Sequence, residues 1–246
     1  MSNRWIEAAA VYRDRRMVLI LVLGFSSGLP LALSFSTLSA WLATDGIDLT
    51  TIGLFALVGL PYTLKFLWSP LVDGISVPWL TRRLGRRRGW MVASQVAVAI
   101  AIIALGNTDP KTGIALVAAL ALVVAFLSAT QDIVIDAFRV EILTEREQGA
   151  GAAAVQMGYR FGMLASGAGA LAIADAFGWN AAYVVMGLGM GVGVIAVLLA
   201  REPAPTAGAG ADAGVSGPGR GAIGAWMQSH MVAPFADFVG RPGWAV

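Results

Sequence analysis

The chain has 246 residues, of which 57% are hydrophobic and 13% charged, with a net charge of +2 and no cysteine. A soluble domain carries roughly 25% charged residues, so this composition excludes a water-exposed globule and requires lipid around much of the surface. The small net charge gives no case for a nucleic-acid partner, and without cysteine neither a disulfide framework nor a thiolate metal site can form.

Residues 1–16 form a mixed-charge lead with Arg4, Glu7, Arg13, Asp14, Arg15 and Arg16. The apolar run from Met17 to about Trp41 is too long for the roughly 7–15-residue core of a cleaved signal and reads as a first spanning helix. Crossing a hydrocarbon core takes about 20 residues. Spans are predicted at about 17–40, 50–71, 89–106, 113–138, 150–173 and 181–200, joined by short connectors. The fold class is therefore an all-α membrane protein, a six-transmembrane-helix bundle over residues 17–200. Residues 201–222 are rich in Ala, Gly and Pro and read as a flexible cytoplasmic linker. Residues 223–246, with Trp226, Met227, Met231, Phe235 and Phe238, read as the amphipathic start of a missing second half.

Lys and Arg placement sets the orientation. Fourteen of the seventeen basic residues fall on one side, in the lead, the second and fourth connectors and the segment after the sixth span. The other side carries only Lys111, so both termini are expected in the cytoplasm.

Ionisable residues at membrane depth are costly and mark candidate sites. Lys65, Asp132, Asp136 and Arg160 are these residues; the single histidine, His230, lies in the tail, so proton chemistry inside the membrane falls to carboxylates. Ser128, Asp132, Asp136 and Arg139 recur at helical spacing as one polar stripe, with Gln131 beside it. Gln131 and Asp132 are the better binding candidates. Asp136 and Arg139, nearer the interface, are expected as an ion pair or end cap on the cytoplasmic side. Small residues at Gly24 and Gly28, at Gly158, Gly162 and Ser166, and at Gly187 and Gly191 permit close helix packing. Gly28 and Pro30 are also candidates for bending of the first helix. Catalysis is not expected: Asp132 and Asp136 share one helix, whereas an intramembrane aspartyl protease needs its aspartates on facing helices.

Asp73 followed by Gly85-Arg86-Arg87-Arg88 resembles a signature of the major facilitator superfamily, with a longer gap than usual. The segments Gly24–Leu33, Lys65–Asp73, Gly85–Trp90, Ser128–Asp136, Gly158–Leu164 and Pro234–Phe238 together resemble the bacterial muropeptide permeases of the AmpG type, in order along nearly the whole chain. The resemblance implies the N-terminal half of a proton-driven importer of anhydro-muropeptides, working in cell-wall recycling at the bacterial inner membrane. Its partners would be the muropeptide, protons, the lipid bilayer and a C-terminal half, with no cofactor and no metal. Carried over by position, Lys65, Gln131 and Asp132 would face a central cavity, with Tyr159 and Arg160 at a similar level. Asp73, Arg86 and Arg87 would form a cytoplasmic latch. The same branch also resembles acetyl-CoA transporters, the alternative within transport; a non-transporting membrane scaffold is the alternative outside it.

Overall fold

The structure is a computed structural model that describes residues 11–203. Most of the expected lead, nearly all of the linker 201–222 and the whole amphipathic segment 223–246 lie outside the described residues. Within them all regular structure is helical, as expected.

Six long helical stretches run in sequence among the described residues, with the shorter helices Ser69–Gly74 and Pro78–Leu84 between the second and third. We label them α1 (Arg15–Thr44), α2 (Leu49–Leu67), α3 (Arg86–Gly106), α4 (Pro110–Ile142), α5 (148–177) and α6 (Trp179–Leu199). Five of them, all but α5, are long and apolar enough to cross a membrane by length and composition. The stretch α5 reaches that length only when the π turn Ala165–Gly169 is read as part of one helix, because the α-helical piece before it has 17 residues.

Helix starts follow local chemistry. Asp14, Asp48 and Asp109 each accept from the backbone N–H two or three residues on, which satisfies donors a helix N-terminus leaves free. Thr144 and Glu147 form a reciprocal capping box before α5. Interruptions also have local causes. The helix α1 breaks at Phe35, five residues past Pro30. Within α2, a 3₁₀ turn at Phe55–Gly59 runs up to Pro61, whose missing N–H cannot close a helical bond. In α5 the π turn leaves carbonyls over, and Thr37 Oγ1 of α1 donates to the Ser166 carbonyl at 2.8 Å.

The tightest pairing is α1 on α5. Gly24 and Gly28 lie against the backbone of Val155 and Tyr159, while Gly158 and Gly162 lie against that of Leu21 and Phe25. A methyl group at any of the four would overlap a facing carbonyl oxygen, so the two helices meet backbone to backbone. The helix α3 packs between α4 and α6, whereas α2 leans mainly on α4 and exposes Leu54, Leu57, Leu60 and Phe66. The helix α4 kinks at Gly113, and the run 114–142 beyond it, at about 1.5 Å per residue, is about 43 Å long and overshoots a hydrocarbon core of about 30 Å. Its last turn therefore projects into the arginine-rich end of the bundle.

At the opposite end Trp41 stacks on Trp179 with ring centroids 5.9 Å apart and touches Tyr183, whose hydroxyl donates to the Leu33 carbonyl. Trp41 falls at a helix end, where an aromatic belt would sit, yet it is buried as a packing residue.

Candidate functional site

Asp132 sits two-thirds of the way along α4, half-buried. Ser27 of α1 donates its hydroxyl to Asp132 Oδ1, which ties the carboxylate to the α1–α4 contact. Lys65, in the last 3₁₀ turn of α2, is half-buried and within electrostatic reach of Asp132, but forms no ion pair among the described residues. Tyr62 of α2 and Tyr159 of α5 also lie within electrostatic reach of the carboxylate. Arg160 is exposed and acts electrostatically on Tyr159, with no ion pair of its own among the described residues. The structure thus gathers Asp132, Lys65 and Tyr159 from α4, α2 and α5, adds Ser27 and Tyr62, and leaves Arg160 on the rim.

Gln131 goes elsewhere. It is fully buried, its Nε2 reaches Ser26 Oγ at 3.5 Å, and its Oε1 has no hydrogen-bond partner among the described residues. Gln95 of α3 is equally buried, with both amide atoms unpartnered there, and Gly193 of α6 leaves the space that Ser26 and Gln95 occupy. Gln131 therefore belongs to a polar cluster inside the bundle, one helical position round from Asp132. Two apolar grooves mark the surface, one along Met17, Leu21 and Met157 and the other along Pro61, Leu122 and Phe126; neither includes Asp132.

The arginine-rich end holds a second constellation. Arg87, at the start of α3, is buried and donates to Asp73 at 2.5 Å and to Glu141 at 2.5 and 2.8 Å. Arg86 donates to the Asp73 backbone carbonyl. Glu202, beyond α6, accepts from the backbone N–H groups of Arg87 and Arg88 at 2.9 and 3.1 Å and so caps α3. Arg88 in turn donates to the Val197 and Leu198 carbonyls at the end of α6. Asp136 and Arg139 approach only to 3.8 Å, and Arg139 also donates to Gln148 at 3.1 Å. Of the residues expected at the cytoplasmic end, Asp73, Arg86 and Arg87 meet directly, while Asp136 and Arg139 form a separate contact.

Glu141, Glu202, Ser27 and Tyr62 carry these sites without having been singled out from the sequence. A glutamate two residues past Arg139 and another directly after Arg201 were the available signals for the first two.

A family model described as acetyl-coenzyme A transporter 1 matches residues 16–184. The chain is 47% identical over 184 residues to the anhydromuropeptide permease of Escherichia coli strain K12, a match covering 74% of this chain and 36% of that protein. It is 37% identical over 177 residues to a Rickettsia felis protein named as transporter AmpG 4, covering 71% and 42% respectively. The chain thus spans less than half the length of these relatives. These relatives are permeases and transporters rather than enzymes, and the resemblance to permeases of the AmpG type is borne out. The chain is a multi-pass membrane protein that belongs to the acetyl-coenzyme A transporter 1 family.

Proposed function

We propose that this chain forms one wall of a secondary transporter that imports anhydro-muropeptides across the bacterial inner membrane, coupled to protons. The observation that carries this reading is the 47% identity to the Escherichia coli anhydromuropeptide permease over 184 residues. In this reading the arginine-rich end faces the cytoplasm, as the positive-inside bias supports, and both termini lie there. A C-terminal half supplies the other wall, with substrate held between the halves. Asp132 takes up and releases the proton while Lys65, Tyr159 and Arg160 line the substrate path. The Asp73–Arg87–Glu141 cluster, with Arg86, latches the cytoplasmic end, and Asp136 with Arg139 guards the end of α4. Gln131 serves from behind, as a packing partner of Ser26 rather than a substrate contact. Gly28 and Pro30 let α1 bend near the Phe35 break.

The family description favours one second reading, transport of acetyl-coenzyme A. A permease-deficient strain expressing the chain joined to a second six-helix bundle separates the two. Uptake of labelled anhydro-muropeptide is expected. Uptake of acetyl-coenzyme A by inverted vesicles without muropeptide uptake in cells would establish the second reading.

A further inference from the structure

The long gap between Asp73 and Gly85 is a departure from the superfamily pattern that the latch does not use. It holds a short helix, Pro78–Leu84, that ends where Gly85 adopts φ +91 and α3 begins. One face of this helix packs on α3: Leu80 and the Thr81 backbone lie against Gly89, where an added methyl would come within 3.1–3.3 Å of them. The opposite face carries Trp79, Arg82 and Arg83, at helical spacing and all exposed. Trp79 is 63% exposed, and the Arg83 guanidinium sits 4.8 Å above its ring. Ile75, just before the helix, is also exposed, with its carbonyl held by the Trp90 indole at 2.6 Å. Neither Arg82 nor Arg83 has an ion-pair partner among the described residues.

A bare indole beside two unpaired guanidinium groups suits neither bulk water nor hydrocarbon. It suits the headgroup layer, where Trp settles and Arg meets phosphate. The helix lies in the connector between α2 and α3, after the short helix Ser69–Gly74, at the arginine-rich end of the bundle. We propose that Trp79, Arg82 and Arg83 form a binding site for the headgroup of an anionic glycerophospholipid. The arginines engage the phosphate, in planar two-point fashion where both N–H groups reach it. Trp79 packs on the glycerol and upper acyl region, with its ring also holding Arg83 in place. A zwitterionic headgroup satisfies the same phosphate contacts but adds a cation that the two arginines repel. The site is independent of what the transporter carries.

Native mass spectrometry of the purified 246-residue chain, titrated with phosphatidylglycerol or phosphatidylcholine, tests this. The wild-type chain is expected to retain phosphatidylglycerol about tenfold more tightly than phosphatidylcholine, the order that two interfacial arginines provide. Arg82→Ala with Arg83→Ala should abolish that preference, Arg82→Lys with Arg83→Lys should keep part of it, and Trp79→Ala should weaken retention of both lipids. Equal retention of the two lipids by the wild-type chain would overturn the proposal, as would an undiminished preference in the double alanine variant. Should that variant prove misfolded by circular dichroism, raised salt on the wild-type chain takes its place. A preference that survives about 0.5 M salt, where exposed charges are screened, is then the overturning result.

Discussion

Arg87 and Glu141 meet at 2.5 Å across the ends of α3 and α4, with the guanidinium buried and the carboxylate nearly so. Asp73 meets the same guanidinium at 2.5 Å but is 49% exposed. The two carboxylates are therefore unequal. Losing one partner of a buried pair costs about 3 kcal/mol, whereas an exposed partner contributes about 1 kcal/mol or less. Glu141→Gln is expected to lower the thermal midpoint of the purified chain in detergent more than Asp73→Asn does. A larger effect at Asp73 would show that the cluster is organised around the wrong acid.

The contact between α1 and α5 predicts a sharp contrast among glycines. Gly158→Val or Gly28→Val forces the helices apart and should destabilise by about 3 kcal/mol, the upper end for overpacking. Gly191→Ala meets nothing within 4 Å in its helix and should be neutral or stabilise by up to about 1 kcal/mol. Denaturation in mixed micelles reads both. Equal effects at the two kinds of site would refute backbone-to-backbone packing.

Arg16 links the start of α1 to the α4–α5 connector through Asp14 and Glu147, at 2.7 and 2.8 Å. The Arg16 side chain holds the Asp14 carboxyl below its ordinary 3.8, and hydrogen bonds from Thr144, with Arg16 adding to them, hold Glu147 below 4.5. Depressed folded-state values mean a stabilisation that is complete above those ordinary values. It is lost as pH falls through the lower, folded-state ones. Acidification from neutral pH should lower the thermal midpoint, and the double variant Asp14→Asn with Glu147→Gln should flatten that dependence. An acid profile unchanged in the double variant would remove these carboxylates from the account.

How much of this was legible beforehand differs from residue to residue. The apolar runs made the spanning segments visible, whereas the helix caps Asp14, Asp48 and Asp109 emerge only in the structure. The polar stripe of α4 was visible too, but not its division. Ser128 and Gln131, three residues apart, turn inward and are fully buried, while Asp132 and Asp136 lie further round the helix toward the edge. A stripe read at a spacing of four cannot show which flank faces the neighbouring helices. Glu141 and Glu202 escaped because their partner, Arg87, is 54 and 115 residues away in the chain. Gln95 stands in an apolar run of the sequence; only the packing of α1, α3, α4 and α6 makes it part of a buried cluster.

Asp132 can be a structural counter-charge or the proposed coupling group, and the two roles predict different variants. A structural charge pair would place Lys65 in contact with the carboxylate, and neutralising both residues would then restore much of what neutralising one destroys. Asp132 instead accepts from Ser27, and Lys65 acts on it without forming an ion pair. In the chain joined to a second bundle, Asp132→Asn is expected to reach the membrane in normal amount and to reduce proton-driven muropeptide accumulation at least tenfold, the loss of about 1.4 kcal/mol or more of coupling. Asp132→Asn with Lys65→Met should recover none of it. Ser27→Ala, which removes the hydroxyl and keeps the charge, should shift the pH dependence of uptake while leaving measurable transport. Accumulation restored by the double neutralisation would make Asp132 a structural counter-charge and move the coupling carboxylate to another position.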